Sequence, residues 1–154
     1  MISIALVHPM LVHFPIVLLI TACAMDIIVL AIKRDLTSRQ CLSMIALSAL
    51  LLGTLSAGFA AIFGDIALDT AISLGFPSGP LETHETLALI TIAVFSVHCL
   101  LRLLALWRRV PLRGYIGWVA ALPGLVGVFL LIFTAYYGGE LVYHFGVNVA
   151  AALP

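Results

Sequence analysis

The sequence predicts an all-α integral membrane protein, a four-helix bundle with both termini on the outer face of the bilayer. Three observations carry that prediction. Hydrophobic residues make up 64% of the 154-residue chain and charged residues only 9%, against roughly 25% charged in an ordinary soluble domain. Mean hydropathy is +1.25 at zero formal net charge, too few charges to coat a water-facing globule. The polar residues are also confined to short stretches that separate four long apolar runs. A soluble enzyme, a nucleic-acid binder and a disordered tail are excluded together.

The first apolar run is Pro9–Ile32, the second Cys41–Phe63, the third Glu85–Leu106 and the fourth Gly117–Tyr137. Each exceeds the ~20 residues that, at ~1.5 Å rise per residue, cross a ~30 Å hydrocarbon core. Together they form a single membrane domain spanning residues 1–154. The N-terminal MISIALVHPM has no basic residue before its apolar run and does not read as a cleavable signal, so the first helix is retained. The stretch Gly64–His84, with GFPSGP inside it, reads as an exposed turn-rich loop. Small residues Ala49, Gly53, Ala57 and Ala61 recur every four positions in the second helix. Gly117, Gly124 and Gly127 do similar work in the fourth, where Pro123 is expected to introduce a kink. Small faces let membrane helices approach closely, and Gly53, Gly124 and Gly127 also have room for a flat cofactor. Neither half of the chain shows a persuasive internal repeat.

All seven basic residues fall in two short stretches, Lys33, Arg34 and Arg39 in the first and Arg102, Arg108, Arg109 and Arg113 in the second, so that the basic loops follow the first and third helices. Positive charge marks the cytoplasmic side, so the termini and middle loop are expected outside, which for a bacterial inner membrane means the periplasm. Cys23, Cys41 and Cys99 form no C-x-x-C pattern, which excludes c-type haem attachment and a cysteine-ligated cluster. No nucleotide loop, zinc-protease helix or nucleophile elbow is present.

Four of the five histidines, His8, His13, His84 and His144, are expected at the outer ends of helices 1, 3 and 4. Asp65, Glu82, Glu85, Glu140, Tyr136, Tyr137 and Tyr143 surround them. Two imidazoles on different helices can ligate a b-type haem axially. Counted from the expected helix starts, His13 and His84 lie within ~6 Å of the same depth, whereas His98 lies ~21 Å further in. His13 and His84 are therefore the expected haem-iron ligands, with His8 and His144 in reserve. The alternative is Zn or Cu held by His8, His13, His84 and His144 with help from Glu85. A separate inner cluster is expected from Asp26, His98 and Arg102: Asp26 precedes Lys33 by about the interval at which Arg102 precedes Arg108, and ionisable groups in the membrane are usually paired or functional. A helix-locking salt bridge, a proton path and contact with a quinone headgroup all remain open for it.

The segments HPMLVHFPIVLL, GDIALD, THETLALIT and GGELVYHFGVNV together resemble the bacterial domain-of-unknown-function 2231 membrane family. The resemblance covers nearly the whole chain in order. It implies a small four-helix membrane protein, and, because some members are fused to Rieske-type domains, electron transfer nearby. The matching residues are His8, Pro9, His13, Pro15, Asp65, His84, Gly138, Gly139, Tyr143 and Gly146. No Cys–His pairs for a Rieske centre exist here, so a redox partner, periplasmic or in the membrane, is expected as a separate subunit. Three functions follow as expectations: a haem b protein passing electrons between that partner and membrane quinone; a non-catalytic anchor or assembly subunit of a larger redox complex; and a metal-handling or transport protein.

Overall fold

The computed structural model describes residues 6–149. Its elements are α1 (Val7–Leu11), α2 (His13–Ala31), α3 (Cys41–Ser73), α4 (Ser78–Trp107) and α5 (Gly114–Tyr143). A single turn residue, Val12, separates α1 from α2, and the two form one apolar span, Val7–Ala31. With α3, α4 and α5 this makes four helices long and apolar enough to cross a membrane. Around the bundle α2 packs on α3, α3 on α4, α4 on α5 and α5 back on α2, which leaves α2 diagonal to α4. Exposed Trp107, Tyr115 and Trp118 ring the basic end, and exposed Tyr136, Tyr137 and Tyr143 the opposite end, the belts that amphipathic rings form at headgroup level.

The expected helix ends need correction at the histidine end. The stretch 64–84 is not a loop: α3 continues to Ser73, α4 begins at Ser78, and only the residues between them turn. Hydropathy reports where lipid ends, whereas a helix already nucleated continues at low cost beyond it. The extensions are held by a small core of Ala71, Leu81, Leu141 and Val147, with Leu68, Phe76 and Phe145 packed on it. Gly75 supplies the turn at φ +88°, a left-handed conformation that costs glycine little. Similarly, α5 begins at Gly114 and runs unbroken through Pro123 to Tyr143. The small face of α3 also departs from strict four-residue spacing. Ala49, Gly53 and Ala57 are buried, but Ala60 follows them where Ala61 was expected, because steps of four overshoot a 3.6-residue turn.

The bundle has an internal two-fold repeat that the sequence does not advertise. Asp26 and Arg102 meet across the bundle, 76 positions apart. The same offset relates His8 to His84, Leu19 to Phe95, Cys23 to Cys99, Lys33 to Arg109 and Leu36 to Leu112. Each half repeats the same contacts: Leu19 lies against Gly53 as Phe95 lies against Gly127, and Lys33 and Arg109 both take left-handed φ, 58° and 55°. The helical hairpin α2–α3 thus has its counterpart in α4–α5, and α2 and α4 face the shared axis. A repeat of this orientation has its axis along the membrane normal.

At the basic end the halves are fastened directly. The Leu36 amide donates to the Leu112 carbonyl at 3.0 Å, and the Leu112 amide donates to Asp35 Oδ1 at 2.9 Å. Asp35 also accepts from the Thr37 amide and hydroxyl. Burial opposes ionisation of Asp35, but these donors and nearby Arg113 outweigh it and hold the carboxyl below its usual range. A depressed folded-state value stabilises above the unfolded value, about 3.9, and that stabilisation is lost as pH falls through the folded one. Wild type should therefore melt above Asp35→Asn at neutral pH, with the gap closing in thermal melts below about pH 4; a gap independent of pH would contradict this. Gly117 is the tightest junction, since a Cβ there would lie 2.9 Å from the Leu112 carbonyl oxygen, which is backbone. Gly117→Ala should cost about 1–3 kcal/mol by overpacking, read as a lowered melting temperature in detergent.

Candidate functional site

Two polar layers lie on the pseudo-two-fold axis, separated by apolar side chains. The outer layer contains His8 from α1 and His84 from α4, whose ring centroids are 6.3 Å apart with planes crossed at 79°. His8 Nδ1 donates to the Ala60 carbonyl of α3 at 2.8 Å, and His84 Nδ1 donates to the Thr134 carbonyl of α5 at 3.0 Å. Thr134 is the repeat counterpart of Ala60. With Nδ1 turned to a carbonyl in each case, Nε2 is the ring nitrogen left to face a ligand. This carbonyl support is the arrangement that orients a metal-ligating histidine.

Glycines make room for both rings. A Cβ on Gly64 would lie 3.0 Å from His8 Cε1, and a Cβ on Gly138 would lie 3.0 Å from His84 Cε1. These glycines are repeat counterparts as well. Each sits one helical turn beyond the carbonyl that holds its histidine, so one face of α3 or α5 supplies both the hydrogen bond and the space.

The structure brings together a different outer pair from the expected one. His13 is exposed, and so is His144, whose ring lies against Phe145. Five residues separate His13 from His8, which rotates it about 140° around a helix, away from the axis that His8 faces. The helices also do not start at the expected positions, since α4 begins at Ser78, well before residue 85. The glycines expected to admit a flat ring are also placed elsewhere. Gly53 lies against Leu19, Gly124 against His98 and Gly127 against Phe95, so their space is filled by the bundle itself. Gly64 and Gly138 take that position beside the histidines; both stand within the GDIALD and GGELVYHFGVNV segments. Among the described residues, no three His, Cys, Asp or Glu side chains gather as a metal-binding group.

The inner layer joins Asp26, His98 and Arg102, all almost fully buried. Arg102 Nη1 donates to Asp26 Oδ1, His98 Nε2 donates to Asp26 Oδ2 at 3.2 Å, and Arg102 Nη2 donates to the Leu36 carbonyl at 3.0 Å. Among the described residues, His98 Nδ1 has no hydrogen-bond partner. Leu19, Leu50, Phe95 and Leu131 form the apolar core of the bundle. Leu19 and Phe95, both buried, stand between the two layers along α2 and α4.

The fold and its membrane-exposed surface define a multi-pass membrane protein built from two related helical hairpins. The family described as predicted membrane protein (DUF2231) matches residues 5–151, and the chain belongs to that family. Comparisons with curated proteins and with solved structures give no match.

Proposed function

We propose that the protein is a b-type haem protein of the membrane, with iron on the pseudo-two-fold axis between His8 and His84. The observation that carries this reading is the histidine pair itself. A haem iron held by both histidines would need ring centroids roughly 6 Å apart, two metal–nitrogen bonds of about 2 Å plus two ring half-widths of about 1 Å. The rings are already near that separation, each held at Nδ1 from a different helix. Two imidazoles suffice for an axial haem site, whereas Zn in a structural site takes four ligands.

A bound haem supplies one-electron chemistry at a potential set by its axial ligands and surroundings. The chain's own residues do the rest. Ala60 and Thr134 fix ring orientation, Gly64 and Gly138 keep the approach flat, and the core beneath holds water away. By the positive-inside rule the pair faces the periplasm, where a separate redox subunit has access to it. Membrane quinone is the second partner. A cleft of about 670 Å³ on the α4–α5 surface is lined by Glu82, Thr83, Thr86, Leu87, Phe133 and Tyr137. Its polar groups suit the two carbonyl oxygens of a quinone, its apolar ones the ring and isoprenoid tail, and Thr83 directly precedes His84.

The test is a reduced-minus-oxidised visible spectrum of protein purified from haem-supplied cells, with metal analysis of the same sample. A Soret and α-band with about one iron per chain is the expected result. Absence of both bands rejects the haem, and stoichiometric Zn or Cu in their place supports metal handling.

A further inference from the structure

The basic end of the bundle carries a second candidate site, independent of the histidine pair. Lys33, Arg34, Arg39, Arg108, Arg109 and Arg113 are all exposed there. Between the two connecting loops lies a cavity of about 370 Å³ lined by Asp35, Thr37, Arg39, Leu106, Arg109 and Pro111. We propose that this cavity binds the phosphodiester headgroup of an anionic phospholipid, with Arg39 and Arg109 as its cations.

Four observations support the assignment. Arg39 and Arg109 come from opposite halves of the repeat, and neither side chain makes an ion pair or hydrogen bond among the described residues. Both are available to donate to phosphate oxygens, for which a guanidinium has fork geometry. The one acid in the cavity, Asp35, turns Oδ1 to Thr37 and Leu112 and makes no ion pair with either arginine among the described residues. Arg109 is held in place by the turn that ends α4, where the Val110 amide donates to the Ala105 carbonyl at 2.8 Å.

The cavity's position favours lipid over free phosphate. Leu106 and Pro111 give it an apolar wall, and Leu100, Leu101 and Leu104 continue an exposed apolar surface along α4. Trp107 and Tyr115 mark headgroup level beside it. A phosphate seated between the arginines therefore has acyl chains that run down a lipid-facing helix, and basic residues at this depth attract anionic headgroups.

The experiment uses the full chain in zwitterionic phosphatidylcholine nanodiscs, doped with phosphatidylglycerol or cardiolipin, and reads thermal stability. Native mass spectrometry counts retained lipid. Anionic lipid should raise the melting temperature by several degrees and remain bound as one or two molecules, while inorganic phosphate at equal concentration should do neither. Arg39→Gln/Arg109→Gln should weaken the anionic-lipid affinity roughly ten- to thirtyfold and leave the melting temperature in pure phosphatidylcholine nearly unchanged. Lys33→Gln/Arg108→Gln removes the same charge from the same face and should keep most of the effect. No anionic-lipid shift in wild type overturns the proposal. So does an equal loss in the two double variants, which indicates diffuse surface attraction, or an equal shift with inorganic phosphate.

Discussion

Arg102→Leu should destabilise the bundle by about 3–5 kcal/mol, the usual cost of stripping one partner from a buried ion pair. Asp26 then keeps only His98 as a donor, in a setting from which water is excluded on both sides. The apolar core closes the layer toward the histidine end, and the Leu36–Leu112 junction closes it toward the basic end. Asp26→Asn should cost a comparable amount, because the buried guanidinium keeps neutral acceptors but loses its counter-charge. The double variant Asp26→Asn/Arg102→Leu removes both charges. Its loss should fall short of the sum of the single losses by about 1–2 kcal/mol. Denaturation in detergent, followed by helical circular dichroism, measures all three. Strict additivity would mean that the two side chains do not act as a pair.

His8→Ala and His84→Ala should each remove the low-spin haem spectrum, whereas His13→Ala, His144→Ala and His98→Ala should leave it intact. The first two rings face the axis and carry the Nδ1 support. The other outer histidines are exposed, and His98 lies below the apolar core. Gly64→Val and Gly138→Val give a graded version of the same result, since each intrudes on an imidazole without deleting it. Spectra of matched amounts of purified protein, with helicity checked on the same samples, separate loss of ligand from loss of fold. Retention of the full spectrum in His8→Ala, together with its loss in His13→Ala, would transfer the ligand role to His13.

The inner cluster was legible because a charge inside an apolar run is rare, and because Asp26 and Arg102 were both counted from basic residues at one membrane surface. Common depth then followed from the helical rise alone. The outer pair was harder to read. His13 and His84 were counted from helix starts, and helix starts do not share a plane: α1 opens at Val7, just before His8, whereas α4 opens at Ser78, more than a turn before His84. Facing was also invisible, since five residues between His8 and His13 place them on different sides of the span.

The repeat escaped detection for another reason. Its identities are few, among them His8 with His84 and Cys23 with Cys99, and its most consequential pair, Asp26 with Arg102, inverts the charge. The offset is also not constant. Gly53 with Gly127 and Gly64 with Gly138 are closer in sequence than the α2–α4 pairs, because the loop joining α4 to α5 is shorter than the one joining α2 to α3. No single period therefore aligns both helices. Once the bundle is assembled, the repeat identifies His8 as the partner of His84 by position, without reference to depth.

Paired axial ligation is tested most directly by low-temperature electron paramagnetic resonance of the purified, oxidised protein. The imidazole planes are crossed at 79°, so a ferric haem held by His8 and His84 should give a strongly anisotropic low-spin signal, dominated by one low-field feature. A high-spin ferric signal, or an iron content near zero, would contradict ligation by the pair.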